Sequence, residues 1–357
     1  MAYTTIDDPS EYFHTQLYAG DASGNAQNIT NDANAGDFKP DWLWIKERTS
    51  TSNHMVMDSS RAGDYNRIMP NKSDTEITSD PAVLPLTDGF SVADSDGGLN
   101  QASQTYVAWQ WKVNGGTTET AVTESGNNPA NVRQTNTDAG FSIITYTGTG
   151  ATGTIAHGLG VTPEWILFKA RAGTENWPNY HVSTGNTHAV DLNRTVAEQD
   201  NDALFNDTSP TSSVFTVGSD SAINADGVAY VCYCFAPIQG YSKFGSFVGN
   251  GNTNGPFIYL GFKPAWILYK RATDGTNNWG LIDNKRDTHN PCIRAFSVNL
   301  NNAIGEQSAN GAGDMLSNGW KIGASAGSRN ANGVQYIYIA FAESPFVTST
   351  GVPTTAR

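Results

Sequence analysis

One short stretch occurs three times, and it restricts the fold more than any other feature of the chain. It reads Lys39-Pro40-Asp41-Trp42-Leu43-Trp44-Ile45-Lys46, then Thr162-Pro163-Glu164-Trp165-Ile166-Leu167-Phe168-Lys169, then Lys263-Pro264-Ala265-Trp266-Ile267-Leu268-Tyr269-Lys270. Each copy has a proline, one spacer, a tryptophan, three apolar residues and a lysine. Apolar residues fill both parities of a two-residue period, which predicts a strand buried on both faces. The proline precedes the run, where a missing N–H harms a sheet least.

Ordered markers follow each copy. His54, Trp177 and Trp279 come about a dozen residues later, each after an asparagine: Asn53, Asn176 and Asn278. An Asn-x4-Glu pair is next: Asn71 and Glu76, Asn193 and Glu198, Asn301 and Glu306. A strand start at Phe90, Phe215 or Trp320 follows. Asn100, Asn224 and Asn330 then stand six residues before Tyr106, Tyr230 and Tyr336. These tyrosines open closing strands, 64, 65 and 70 residues beyond the key tryptophans. One parity of those strands carries Val107/Trp109/Trp111, Val231/Tyr233/Phe235 and Ile337/Ile339/Phe341. It reads as the core face, with smaller or more polar groups opposite.

Self-similarity at this scale implies repeated units. Their length of roughly 100 residues suits β-sandwiches. Abundant glycine (36), little charge (15%) and no helical periodicity point the same way. The expectation is an all-β chain of three tandem antiparallel β-sandwich units of lectin-like jelly-roll type. Their bounds are an N-terminal segment 1–12, unit one 13–113, a linker 114–139, unit two 140–238, unit three 239–346 and a C-terminal tail 347–357. The linker is rich in Gly, Thr and Asn and poor in large apolar groups. Trp42, Trp165, Trp266, Tyr106, Tyr230 and Tyr336 are the expected repeat core.

The net charge of −13 and pI of about 4.8 argue against nucleic acid and against anionic membrane surfaces as partners. No run approaches the roughly 20 apolar residues of a membrane helix. The N-terminus lacks the basic and apolar regions of a signal peptide, so synthesis in a cytoplasm is expected. Cys232, Cys234 and Cys292 then read as buried free thiols.

Several motifs resemble sites. Gly148-Thr149-Gly150-Ala151-Thr152-Gly153 matches a dinucleotide fingerprint, but no helical pattern follows, so a hairpin turn is expected. The Asn-x-x-[Ser/Gly] segments before the closing tyrosines also fit hairpin turns. Asp94-Ser95-Asp96-Gly97 lacks the closing carboxylate of a calcium loop and reads as a solvated turn, a weak calcium site being the other reading. The six histidines show no zinc spacing. The single Glu per repeat does not make the facing carboxylates of a glycosidase. No cofactor, metal or catalytic set is assigned. Trp177 and Trp279 are the candidate surface-binding residues, since an exposed indole in a polar loop can stack on a sugar or anchor a protein. The other reading has them covering a core edge.

The opening Tyr3-Thr4-Thr5-Ile6-Asp7-Asp8-Pro9-Ser10-Glu11-Tyr12-Phe13 resembles the start of virion structural proteins of tailed, often marine, bacteriophages. So do Gly89-Phe90-Ser91-Val92 ahead of Tyr106-Val107-Ala108-Trp109, and Gly240-Tyr241-Ser242-Lys243-Phe244-Gly245. The resemblance implies a tail-fibre-like or appendage protein with sandwich units. It implies other virion proteins as partners, a homo-oligomer with a trimer favoured, and a virion location. Contact with a host glycan or surface receptor is the function expected. A purely architectural part (collar, head fibre or capsid decoration) is the alternative, and a glycan-degrading tailspike enzyme a third reading.

Overall fold

The computed structural model describes residues 2–21, 23, 25–32, 37–61, 66–78, 83–93, 98–306 and 311–354. Section one contains β1 (Phe13–Ala19), β2 (Gln27–Ile29), β3 (Trp42–Glu47), β4 (Met55–Asp58), β5 (Val83–Pro85), β6 (Phe90–Val92) and β7 (Thr105–Trp111). Section two contains β8 (Asn131–Asn136), β9 (Phe141–Thr147), β10 (Gly153–Ala156), β11 (Trp165–Ala170), β12 (Asn179–His181), β13 (His188–Ala189), β14 (Gln199–Asp200), β15 (Val214–Val217) and β16 (Ala229–Phe235). Section three contains β17 (Ser242–Val248), β18 (Phe257–Tyr259), β19 (Phe262–Arg271), β20 (Gly280–Asp283), β21 (Arg294–Ser297), β22 (Gly305–Glu306), β23 (Asp314–Leu316), β24 (Gly319–Lys321) and β25 (Gln335–Pro345). Among the described residues the α-helices are single turns, α1 (Asp202–Phe205), α2 (Ser221–Asn224) and α3 (Gly327–Asn330), beside one 3-10 turn at Pro9–Glu11. The protein is all-β, and its sheets are antiparallel and form no barrel.

Each section lays four strands side by side in the same order: β1-β7-β3-β4, β9-β16-β11-β12 and β17-β25-β19-β20. A smaller sheet goes with each: β2-β6-β5, β10-β15 and β18-β24-β23. Apolar side chains of the two sheets meet in a local core. In section one Leu43, Ile45 and Tyr106 meet Ile29, Val83 and Phe90. In section two Ile166, Phe168 and Cys232 meet Ile155, Phe215 and Val217. In section three Ile267, Tyr269 and Tyr338 meet Ile258, Met315 and Trp320.

The opposite face of each large sheet explains the double-parity apolar runs. Side chains alternate along a strand, so Trp42 and Trp44 point away from Leu43 and Ile45. Trp42, Trp44, Trp109 and Trp111 enter one cluster with Trp165, Leu167, Tyr233 and Phe235, and with Trp266, Leu268, Ile339 and Phe341. Ring centroids span the sections: Trp42 to Tyr233 5.0 Å, Trp111 to Trp266 5.6 Å and Phe235 to Phe341 5.7 Å. The sections therefore share a central aromatic core besides their local ones. The closing strands differ here from the sequence expectation. Their supposedly lesser face, with Tyr106 and Ala108, Cys232 and Cys234, or Tyr336 and Ala340, is buried in the local core.

Two further expectations are corrected. Residues 114–139 do more than link, because β8 pairs along the outer edge of β9 from Asn131↔Tyr146 to Asn136↔Phe141. A strand without large apolar groups can join a sheet because its backbone bonds supply the pairing. The segments read as hairpin turns are crossings instead. Gly148–Gly153 leads from the large sheet to the small one, and 100–104, α2 and α3 lie on the return. Asn224 ties both crossings together. Its Oδ1 accepts from Thr149 N (2.9 Å), and its Nδ2 donates to Ala151 O (2.8 Å) and Gly218 O (2.6 Å). Asn330 repeats this with Asn250 N, Asn252 O and Ala324 O. A Cβ at Gly148 would stand 2.3 Å from Ala225 O, so only glycine fits the close approach.

Candidate functional site

The contacts between sections recur in one rotational sense. Between sections one and two, Glu76 N donates to Arg171 O (3.0 Å). Between two and three, Glu198 N donates to Ala272 O (2.8 Å), and between three and one, Ile304 N donates to Arg48 O (2.9 Å). Three head-to-tail seams thus close a ring of contacts within one chain.

This geometry corrects the third Asn-x4-Glu marker. Asn71, Asn193 and Asn299 each accept a backbone N–H, from His54 (3.1 Å), Trp177 (3.0 Å) and Trp279 (2.9 Å). Their amides donate to Asn53, Asn176 and Asn278 at 2.8–2.9 Å. The equivalent pair in section three is therefore Asn299 and Ile304, two residues before the one read from the sequence.

Trp177 and Trp279 are buried and do not form an exposed surface. Their indoles reach across the seams. Trp177 Nε1 donates to Met69 O (3.2 Å) and Lys72 O (3.0 Å), and Trp279 Nε1 to Asp191 O (2.9 Å). A polar indole edge with a backbone acceptor can be buried at little cost. His54 holds the third place, packed edge-on to Phe296 at 5.8 Å. Its Nδ1 accepts from Trp44 Nε1 (3.0 Å), which leaves the proton on Nε2. Ser297 lies at the place of Met69 and Asp191, and its carbonyl approaches His54 without reaching full hydrogen-bond geometry. Burial, then Lys46 and Arg286, hold His54 well below the ordinary histidine range.

The lysines ending the Pro-x-Trp strands are buried too. Lys169 Nζ donates to Ser73 O (2.8 Å) and Lys270 Nζ to Thr195 O (3.0 Å), both across seams. Lys46 Nζ stands 5.2 Å over the Phe296 ring. Burial pushes all three down to about 8.

Two buried ion pairs lie at residues that the repeat markers did not single out. Asp58 pairs with Arg61 (2.6 Å), and Tyr233 of section two donates its hydroxyl to Asp58 (2.7 Å). Asp283 pairs with Arg286, and Trp109 of section one donates to Asp283 (3.0 Å). Burial, then Asp58, push the Tyr233 phenol well above its usual value, so it remains a donor. Glu76 bridges Arg61 (2.7 Å) and Arg171 (2.8 Å) across the first seam. The signal available in the sequence was an Asp-x-x-Arg 16 or 17 residues after a key tryptophan, Asp58 to Arg61 and Asp283 to Arg286. In section two the place of Asp58 is held by His181, which bonds Tyr338 O of section three (3.1 Å). Burial pushes His181 down to about 4.

Two clefts open beside the tryptophan loops. One of about 280 Å3 is lined by Asn277, Asn278, Trp279, Ser297 and Ser328. Another of about 170 Å3 sits at the matching place in section two, lined by Glu175, Asn176, Asp191, Arg194 and Asp220. Amides, hydroxyls and carboxylates at a cleft can bind polyhydroxylated or amide-bearing ligands through hydrogen bonds.

The remaining expectations fall as follows. No helix follows Gly148–Gly153. Cys232, Cys234 and Cys292 are buried free thiols, and burial pushes Cys292 up to about 12. Asp94-Ser95-Asp96-Gly97 lies outside the described residues. Among the described residues no group of three or more His, Cys, Asp or Glu could hold a metal ion, and no helix is long and apolar enough to cross a membrane. Trp42, Trp165, Trp266, Tyr106, Tyr230 and Tyr336 are fully buried. The tyrosines stack on Tyr18, Tyr146 and Phe247 at 4.8, 5.1 and 5.1 Å.

Fold and seams define an all-β protein of packed antiparallel sheets, with a shared aromatic core under polar clefts. The chain belongs to DUF7483, a domain of unknown function, whose family model matches residues 8–345. No curated protein and no solved structure matches it.

Proposed function

We propose that the chain is a virion structural protein of a tailed phage, a tail fibre or appendage that contacts the host surface. Its three sections are then tandem sandwich units of lectin-like jelly-roll plan. The observation that carries this reading is the pair of polar clefts at matching loops of sections two and three, held open by sections locked together through the central core. A rigid body presenting repeated polar clefts suits weak, repeated contacts with a glycan-coated surface. The acidic surface keeps such a body soluble and away from anionic partners. The role is binding rather than catalysis. Homo-oligomerisation, with a trimer favoured, would use outer surfaces, because the inner faces of the large sheets already pack on one another.

The test is retention of purified, fluorescently labelled chain on host cells, with extracted host glycans as competitors. Saturable retention that the glycans abolish is the expected result, and none at any concentration sinks the reading. The ring closed within one chain favours a second reading, an architectural part such as a collar, head fibre or capsid decoration. Gold-labelled antibody on intact particles separates the two, at a fibre or appendage tip for the first and at the head or collar for the second.

A further inference from the structure

The seam between sections three and one differs from that between one and two. At the latter, β8 lies along the outer edge of β9, and its side chains fill the seam. Gln134 there is fully buried. Its Nε2 donates to Ser59 Oγ (2.7 Å) and Ser60 Oγ (2.6 Å) of section one. Its Oε1 accepts from Asn114 N (3.3 Å) and Gly116 N (3.2 Å).

At the seam between three and one, the equivalent strand β1 is the edge of its described sheet. A cleft of about 360 Å3 runs beside it, and its lining comes from both sections. Matching Asp283 to Asp58 puts Asn284 at the place of Ser59, the acceptor of the Gln134 amide. Asn284 Oδ1 is buried and has no hydrogen-bond partner among the described residues. Matching β1 to β9 and β17 puts Thr15 at the place of Ile143 and Phe244, both members of the central core. Thr15 is only 3% exposed, and its Oγ1 also has no partner among the described residues. A buried polar atom without a partner keeps the full penalty of leaving water. A hydroxyl where two sections carry hydrocarbon is therefore costly unless something bonds it.

From these observations we infer that the cleft receives an extended segment of another polypeptide. That segment adds to the edge of β1 as β8 adds to β9. It presents a glutamine-like or basic side chain to Asn284 and Thr15. Charge supports this chemistry, since Asp8, Asp32 and Glu343 face the cleft against Lys285. Lys285 pairs with Asp32 (2.9 Å), and Glu343 with Lys263 (2.6 Å) and Asn284 Nδ2 (2.9 Å), so the acidic side is in excess. His14, also in the lining, is held below its ordinary range by burial and adds no charge near neutral pH.

The test uses the full chain and a synthetic peptide of residues 129–138, Pro-Ala-Asn-Val-Arg-Gln-Thr-Asn-Thr-Asp. Amide hydrogen exchange is followed during titration and needs no host material, so it is independent of the proposed host contact. Slowed exchange over residues 13–19 is expected, saturating with peptide. Alanine in the peptide at the place of Gln134 should weaken binding by about three- to tenfold. Thr15→Val in the chain should do the same while melting no lower than the wild type, which shows that the variant folds. Protection of residues 141–147 instead would mean exchange with β8 and would overturn the inference. So would no protection at all, equal binding by a scrambled peptide, or displacement of the peptide by glucose or galactose.

Discussion

The seam between sections one and two and that between two and three are built from the same positions with opposite chemistry. In the first, Asp58 takes a proton donor from Tyr233 and a buried guanidinium from Arg61. In the second, all three positions change together: His181 replaces the aspartate, Ile339 the tyrosine and Thr184 the arginine. A carboxylate without its arginine, or a phenol without its carboxylate, would be an uncompensated buried group. The set is therefore kept whole or given up whole. The third seam keeps it in altered form, with Trp109 supplying the N–H to Asp283. The buried polar set thus differs from seam to seam, while the aromatic core is common to all three.

The largest effect should come from the common element. Trp42→Ala removes a ring in contact with Trp165, Tyr233 and Phe235 of section two and should cost about 3–5 kcal/mol. Calorimetry should show one transition shifted down, and a separate early melting of section one alone would break the shared-core description. Close behind is Asp58→Ala, at about 3–5 kcal/mol, because it removes the carboxylate that Arg61 and Tyr233 share in the interior and leaves Arg61 only Glu76 as an acidic partner. Tyr233→Phe leaves the Asp58–Arg61 pair intact and should cost about 1–3 kcal/mol. Equal urea midpoints for those two variants would mean that the ion pair carries nothing beyond the phenol bond.

The histidine seam should show itself through pH. Unfolded His181 binds a proton near 6.5, but the folded residue resists it until about 4. Between those values the unfolded state holds more protons, so stability is complete above about 6.5 and declines as pH falls toward 4. The contribution of His181 is about 3 kcal/mol across that window. His54 acts in the same sense, so the measurement is the difference in slope between wild type and His181→Gln. An unchanged slope would remove His181 from the acid response. Smallest of all should be Glu119→Ala, which breaks a partly exposed pair with Arg133 and should shift stability by under about 1 kcal/mol.

The strand cores and the all-β class were legible because double-parity apolar runs are local patterns. The seams were not, because the partner of each group lies in another section. Trp177 and Trp279 look exposed when only their polar loops are read, since the carbonyls that accept their N–H groups are 105 and 88 residues away at Lys72 and Asp191. The slip from Asn299 to Asn301 has a similar origin. The work common to Glu76, Glu198 and Ile304 is done by the backbone N–H, so section three can carry an isoleucine there, and Glu306 supplied a deceptive match. Residues 114–139 misled through composition, since a strand bonded by its backbone leaves little apolar trace. The plug supplied by Gln134 could not be seen without knowing that Ser59 faces it.

The head-to-tail closure has an evolutionary consequence. In an assembly of three identical chains, every mutation strikes three joints at once and must suit them all. Joined in one polypeptide, the joints are freed from that constraint and can specialise separately. That freedom is what lets a single molecule bear one histidine joint, one self-filled joint and one open groove, and so deliver a lone docking event per molecule where strict symmetry would impose three.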